Sequence, residues 1–232
     1  MDKAEISNNN WKDYMYYIKR KFGSESENYK MTIPDTSVWA SADTTGFVIN
    51  MYFQHPAFSE YPVVGISYAQ AEAYCKWRTE ITNKTAFLNE NKIKGNPDST
   101  YSFPTKFIYR LPTRREWEYA ASAGLDTNKF PLGYEKIINK KNLPKIATIE
   151  SREFLKYYSV EYWPGDVYFG DPNKFGLYNM AGNVAEMTSE EGIAKGGSWH
   201  HTLQESYIGK DIHYEGPTNW LGFRCICEMK KQ

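Results

Sequence analysis

The sequence predicts an irregular, loop-rich α+β fold, and three observations carry that expectation. Aromatic residues make up 16% of the chain, with 19 Tyr and 7 Trp beside 16 Gly and 11 Pro. A helical bundle would be rich in Leu and Ala instead. The two clearest helix starts, at Ser67 and Thr113, each follow a short extended segment. The run Gly176–Met187, G-L-Y-N-M-A-G-N-V-A-E-M, is too glycine-rich for a good helix and too irregular for a plain strand.

The 232 residues suffice for one large core, and no linker, repeat or low-complexity tract divides them, so one domain over 1–232 is expected. Formal net charge is zero, so no basic field calls for nucleic acid or an anionic membrane. No apolar run approaches the roughly 20 residues of a membrane span. The opening residues lack the apolar core of a signal peptide, so targeting is not read from them. The three cysteines are Cys75, Cys225 and Cys227. None has C-x-x-C spacing, which argues against zinc; one disulfide with a spare thiol and three reduced thiols both stay open.

In chain order, Ser7 reads as an N-cap, with Trp11, Tyr14, Met15 and Ile18 at helical spacing, for a helix of about 12 residues ending near Phe22-Gly23. Ser24 to Asn50 reads as a long loop with one short strand. Tyr61–Ile66 reads as a short buried extended segment, with Pro62 kept out of a central ladder position. Ser67-Tyr68-Ala69-Gln70 has capping-box form, followed by an apolar face of Ala73, Tyr74, Trp77 and Ile81 with Cys75 beside it. Asn83 to Thr100 reads as an exposed insertion, with turn chemistry at Gly95-Asn96-Pro97-Asp98. Thr113-Arg114-Arg115-Glu116 is a second capping box; Trp117, Ala120 and Ala121 follow on one face, and Gly124 sits near the end. Lys129 to Tyr162 lacks a clean period and reads as a surface excursion. Turns at Trp163-Pro164-Gly165 and Gly170–Asn173 frame the central run. Ala194–Trp199 reads as a strand with a glycine bulge. Trp220–Cys227, with large residues on both faces, reads as a central strand.

The glycines of the Gly176–Met187 run permit positive φ and a sharply folded backbone. With the oxygens of Asn179 and Glu186, the run offers a nest for a hard cation such as calcium. The alternative is a buried turn whose Asn side chains satisfy backbone groups.

The motifs then form an ordered set: Pro62-Val63-Val64-Gly65 with Ala73-Tyr74-Cys75 and Trp77, Arg110-Leu111-Pro112-Thr113 with Glu116–Ala120, and Gly176–Asn179 with Gly182-Asn183 and Glu186. Gly196-Gly197-Ser198-Trp199 and Gly222-Phe223-Arg224-Cys225 complete it. This resembles the sulfatase-modifying factor domain, the family of the formylglycine-generating enzyme, and implies an irregular relative of the C-type lectin fold. Asp2–Asn8 is similar to the D-K-T-E-V-T-N opening of many members. Within the family, His55–Phe58, Tyr61–Gly65, Cys75–Thr79 and Asn183–Met187 resemble the gliding-motility lipoproteins of the GldJ and GldK type. That likeness implies a structural part of an envelope gliding or type IX secretion machinery, with protein partners and an extracytoplasmic placement.

In the family's oxidases, two cysteines between the Gly-Gly-Ser and Gly-Phe-Arg-Cys motifs bind copper as thiolates and oxidise a substrate cysteine; copper(I) prefers such soft ligands. The matching interval here, Trp199 to Phe223, has no cysteine, so no copper is expected. The resemblance also implies that Cys75 and Cys225 are neighbours, as a disulfide only in an oxidising compartment. For calcium it implies Asn179, Gly182, Val184 and Glu186, the middle two through backbone oxygens. A second cation site near Asn142 and Asp166 matches the spacing poorly. His200 and His201, read as adjacent in an extended segment, would point to opposite sides and chelate poorly together.

Three functions follow as expectations. The first is a non-catalytic frame for protein contacts. The second is a lectin-like module binding a ligand through Trp199, His200, His201, Tyr207, His213, Tyr214 and Trp220. The third is a copper-dependent oxidase. Partner identity and oligomeric state are left open.

Overall fold

Helix α1 (Asn8–Phe22) starts at a reciprocal capping box between Ser7 and Asn10 and stops at Gly23, whose φ of 92° lets its N–H reach Lys19. It is longer than the spacing of its apolar residues suggested. In the computed structural model of the chain, residues 1–41, 46–95, 102–135 and 164–230 are described. The turn at 96–98, Asn142, most of the 129–162 excursion and Trp163 lie outside them.

The stretch after α1 holds no strand among its described residues. It forms α2 (Glu27–Lys30), a 3-10 turn at Thr36–Trp39 and α3 (Phe47–Met51). Ser26 and Asp35 accept hydrogen bonds from backbone N–H groups two or three residues on, which starts the first two turns locally. A further 3-10 turn spans Pro56–Phe58. Helix α4 (Tyr68–Glu90) begins at the Ser67–Gln70 capping box and runs on into the stretch expected to be an insertion, as far as Glu90. Asn83 explains the correction. It is buried; its Nδ2 donates to the carbonyls of Thr79 and Phe107, and its Oδ1 accepts from the N–H groups of Lys106 and Phe107. A polar residue thus fastens the helix to strand β1 (Phe107–Arg110). Helix α5 (Arg114–Ser122) follows the Thr113–Glu116 box, and Ala123, ahead of Gly124, takes the left-handed cap with φ 48°. Arg110 grips Glu116 with two nitrogens, which holds that carboxyl down at about 2.

The remaining strands are β2 (Ala185–Met187), β3 (Ile193–Lys195), β4 (Ile212–His213), β5 (Leu221–Gly222) and β6 (Ile226–Met229). One sheet has the order β4-β3-β2-β5, with only the β2–β5 pair parallel; β1 and β6 form a separate antiparallel ladder. The stretch expected as one central strand is therefore divided: β5 edges the larger sheet and β6 belongs to the other. Between them the chain pairs with the N-terminal segment, through Ile6 N–H to Phe223 O and Asp2 N–H to Cys225 O. Ile6 also accepts from Val63, which seats Tyr61–Ile66 in the core. Strand β3 ends at Lys195; Gly196 and Gly197, at φ 89° and 70°, turn the chain out of the ladder.

The largest core cluster joins α1, α4 and the Phe223 segment. Trp11 stacks on Tyr74 at 5.5 Å, and Phe223 sets its edge on both. Each such ring pair contributes roughly 0.5–1.5 kcal/mol beyond its buried area. This layering of helices and small sheets is an α+β fold.

Candidate functional site

Strand β2 is buried along its length. Ala185 and Met187 point into the main core, so alternation sends Glu186 to the opposite side, toward α5. There its Oε2 accepts from Trp117 Nε1 at 2.8 Å and Arg224 Nε at 2.7 Å, and its Oε1 accepts from Arg224 Nη2 at 2.6 Å. Arg224 also donates to Tyr178 O at 2.8 Å and to the carbonyls of Asp2 and Lys3 at 3.3 Å. The approach of Trp117 depends on Gly196, where a Cβ would lie 2.9 Å from the indole ring.

A second buried carboxylate comes from the N-terminal segment. Glu5 Oε2 lies 3.9 Å from Arg224 Nη2. Its oxygens accept from Asn183 Nδ2 at 2.9 Å and Asn179 Nδ2 at 3.1 Å. Burial pushes the Glu5 carboxyl up to about 8, against the pull of Arg224 and with the push of Glu186. Asn179 and Asn183 hold left-handed conformations, φ 52° and 62°, which asparagine tolerates better than most residues. Asn179 Nδ2 also faces Val167 O at 3.0 Å, and Asn183 Oδ1 accepts from Gly165 N–H at 2.8 Å.

The residues expected to hold calcium were Asn179, Gly182, Val184 and Glu186. Glu186, the one carboxylate among them, is closed by the chain's own guanidinium, and the Asn179 amide nitrogen is turned to Glu5. The side chains as placed do not fit a calcium ion, which needs unpaired oxygens converging on it. Among the described residues, no three His, Cys, Asp or Glu side chains converge on a metal-sized site. Sequence reading singled out Glu186 but passed over Glu5, Trp117, Asn183 and Arg224 as its surroundings. The available signal was a charged Arg set between Phe223 and Cys225.

Cys75 and Cys225 lie in the main core with their sulfurs 3.5 Å apart, both as thiols, and burial pushes the Cys225 thiol up. Asp2 braces them: its carboxylate takes both Arg78 terminal nitrogens and the Cys225 N–H. Cys227 sits on β6, in register with Tyr109.

The loop residues expected to face a ligand are not gathered on one surface. Trp199 is buried, stacks on Trp39 at 6.2 Å and donates to Asn219 O. His200 and His201 lie in a turn, not an extended segment, with ring centres 5.9 Å apart. Ser198 makes the turn: its fully buried hydroxyl accepts from His200 N–H at 3.1 Å and meets His201 Nδ1 at 2.6 Å. The His201 ring stands edge-on to Trp220 at 4.8 Å. Tyr207 packs elsewhere, near Leu132 and Tyr134. Tyr214 is buried and pushed up to about 12 by burial, while His213 is exposed on β4. His213, Tyr214 and Trp220 share a shallow cleft with Pro217. The loop's other anchor is Lys195, whose fully buried ammonium meets Glu118 of α5 at 2.7 Å and Asp211 at 3.1 Å.

Among known proteins, the chain is 29% identical over 188 residues to the inactive C-alpha-formylglycine-generating enzyme 2 of Bos taurus, covering 72% of this chain and 50% of that protein. It is 29% identical over 170 residues to the formylglycine-generating enzyme of Mus musculus, covering 69% of this chain and 33% of that protein. The chain thus spans half or less of these relatives. The solved structure of Treponema denticola variable protein 1 superposes with a TM-score of 0.56 at 19% identity, over 98% of this chain and 83% of that one, and shows the same fold. The model of the sulfatase-modifying factor enzyme 1-like domain matches residues 1–229, and the chain belongs to that family.

Proposed function

We propose that this domain is a non-catalytic member of its family, a rigid frame for protein contacts in an envelope assembly of the gliding or type IX secretion kind. The observation that carries the non-catalytic reading is where its thiols lie. The interval Trp199–Phe223 contains none. Two of the chain's three thiols face each other in the core, and the third is on β6 in the other sheet. Copper(I) oxidation of a substrate cysteine needs a pair of thiolates beside the substrate, and the Ser198 turn at the start of this interval offers hydroxyl and imidazole groups. The envelope assignment is supported by the wording of His55–Phe58, Tyr61–Gly65, Cys75–Thr79 and Asn183–Met187 alone.

The test is copper(I) titration of the reduced chain, followed by incubation with a cysteine-containing peptide under oxygen. The expected outcome is no stoichiometric high-affinity copper and no formylglycine in the peptide. Tight one-to-one copper binding with turnover would overthrow the reading.

A further inference from the structure

We propose that the open edge of β4 takes up an extended, basic segment of a partner protein as an added strand. Such a segment is one contact of the protein frame proposed above, on which the idea rests; its binding involves no copper, so either can fail alone. Strand β4 (Ile212–His213) is the outer strand of its sheet, with β3 on one side only. Tyr214 N–H donates to Gly192 O, so Gly192 and Tyr214 form a closely bonded pair. The next pair, Ile193 with His213, is then of the non-hydrogen-bonded kind. Ile193 confirms it by turning its carbonyl to Thr188 beyond β2. By the same alternation the His213 N–H and C=O point away from β3, and they meet no partner among the described residues. An exposed edge of this kind accepts another chain through main-chain hydrogen bonds, while pockets beside it select the side chains. Two clefts meet here. His213 lines both, one of about 740 Å³ and one of about 610 Å³.

Charge decides what kind of segment fits. The larger cleft is lined by Glu191 and Glu215, with Pro217 and the half-buried Trp220 as its apolar wall. Both glutamates are exposed, and neither carboxylate has a hydrogen bond or ion pair among the described residues. No lysine or arginine is among the described residues that line it. Arg114 is committed elsewhere, to Glu190 and Asp211. The cleft therefore presents uncompensated negative charge beside an aromatic wall. A lysine or arginine suits it twice over, its head meeting the carboxylates and its stem lying on the ring. The smaller cleft differs. Its Asp211 is held by Lys195 and Arg114, and its Glu205 accepts from the Thr202 N–H and hydroxyl. Lys210 adds a cation there, so the demand for a basic side chain falls on the larger cleft.

The test pans a phage-displayed random peptide library against the full chain and measures the enriched peptides by fluorescence anisotropy. The expected peptides are basic and rich in strand formers, and their affinity falls with added salt. The double variant Glu191→Lys with Glu215→Lys, both exposed positions, is expected to bind them about tenfold or more weakly, with an unchanged melting midpoint. A second pair of variants tests the strand itself. His213→Pro removes the edge N–H, His213→Ala keeps it, and neither touches the bonds between β3 and β4. The proline variant is expected to bind about tenfold or more weakly than the alanine variant. If the proline variant melts early, the charge variant, which leaves the backbone alone, decides. Four outcomes would overturn the proposal: no enrichment, enrichment of neutral or acidic peptides, equal binding by the charge variant, or equal binding by folded proline and alanine variants.

Discussion

Replacing Arg224 with Met keeps most of the side chain's bulk and removes the cation that Glu186 and Glu5 share. In the folded chain Arg224 makes two charged bonds to Glu186, one to the Tyr178 carbonyl and weaker ones to Asp2 and Lys3. Both acidic partners are fully buried, so water cannot take its place. Breaking one side of a buried ion pair costs about 3–5 kcal/mol, because the remaining charge is left uncompensated. With about 4 kcal/mol lost, a chain of this size should melt roughly 8–16 °C lower. The assay is thermal melting by circular dichroism at neutral pH. A second variant separates charge from packing: Arg224→Met with Glu186→Gln removes the stranded charge and should recover about half of the loss or more. A fall of less than about 3 °C in the single variant, or no recovery in the double, would refute the claim that this centre holds the sheet to the N-terminal segment.

Two other outcomes follow from the same centre. Glu5 keeps its proton up to about pH 8 when folded but releases it near its ordinary value of 4.5 when unfolded. Between those values the folded chain binds the extra proton, so this group's stabilising contribution is complete below pH 4.5 and is lost as pH rises through about 8. Urea midpoints across that window should fall with rising pH, and the Glu5→Gln variant should flatten the slope; an equal slope in both removes Glu5 as its source. Because the Glu186 carboxylate is closed by Arg224, EDTA should leave the melting midpoint where it was. A fall on chelation that calcium, and not magnesium, restores would show that the centre opens to a metal.

The proposed frame role depends on rigidity near the Ser198 turn, and the structure provides it from below. Lys195 ties β3 to α5 and to Asp211, while Trp199 is wedged against Trp39. The Ser198 turn, flanked by Lys195 and Trp199, is thereby fixed to the core.

What the sequence alone determined is what adjacent residues decide among themselves. The helix starts at Ser7, Ser67 and Thr113 were legible because a cap needs only a hydroxyl and a backbone N–H three residues on. The motif set was legible too, and with it the fold class. Where α4 ends was not, because Asn83 reads as a loop residue until β1 arrives to take its hydrogen bonds. The division of Trp220–Cys227 between two sheets depended on which strands lie alongside, and a run with large residues on both faces does not say. The same limit hid the role of Glu5. It meets Asn183 across 178 residues of chain, and a buried charge is tolerable only where distant segments bring it partners, a condition that leaves no periodic mark in the sequence.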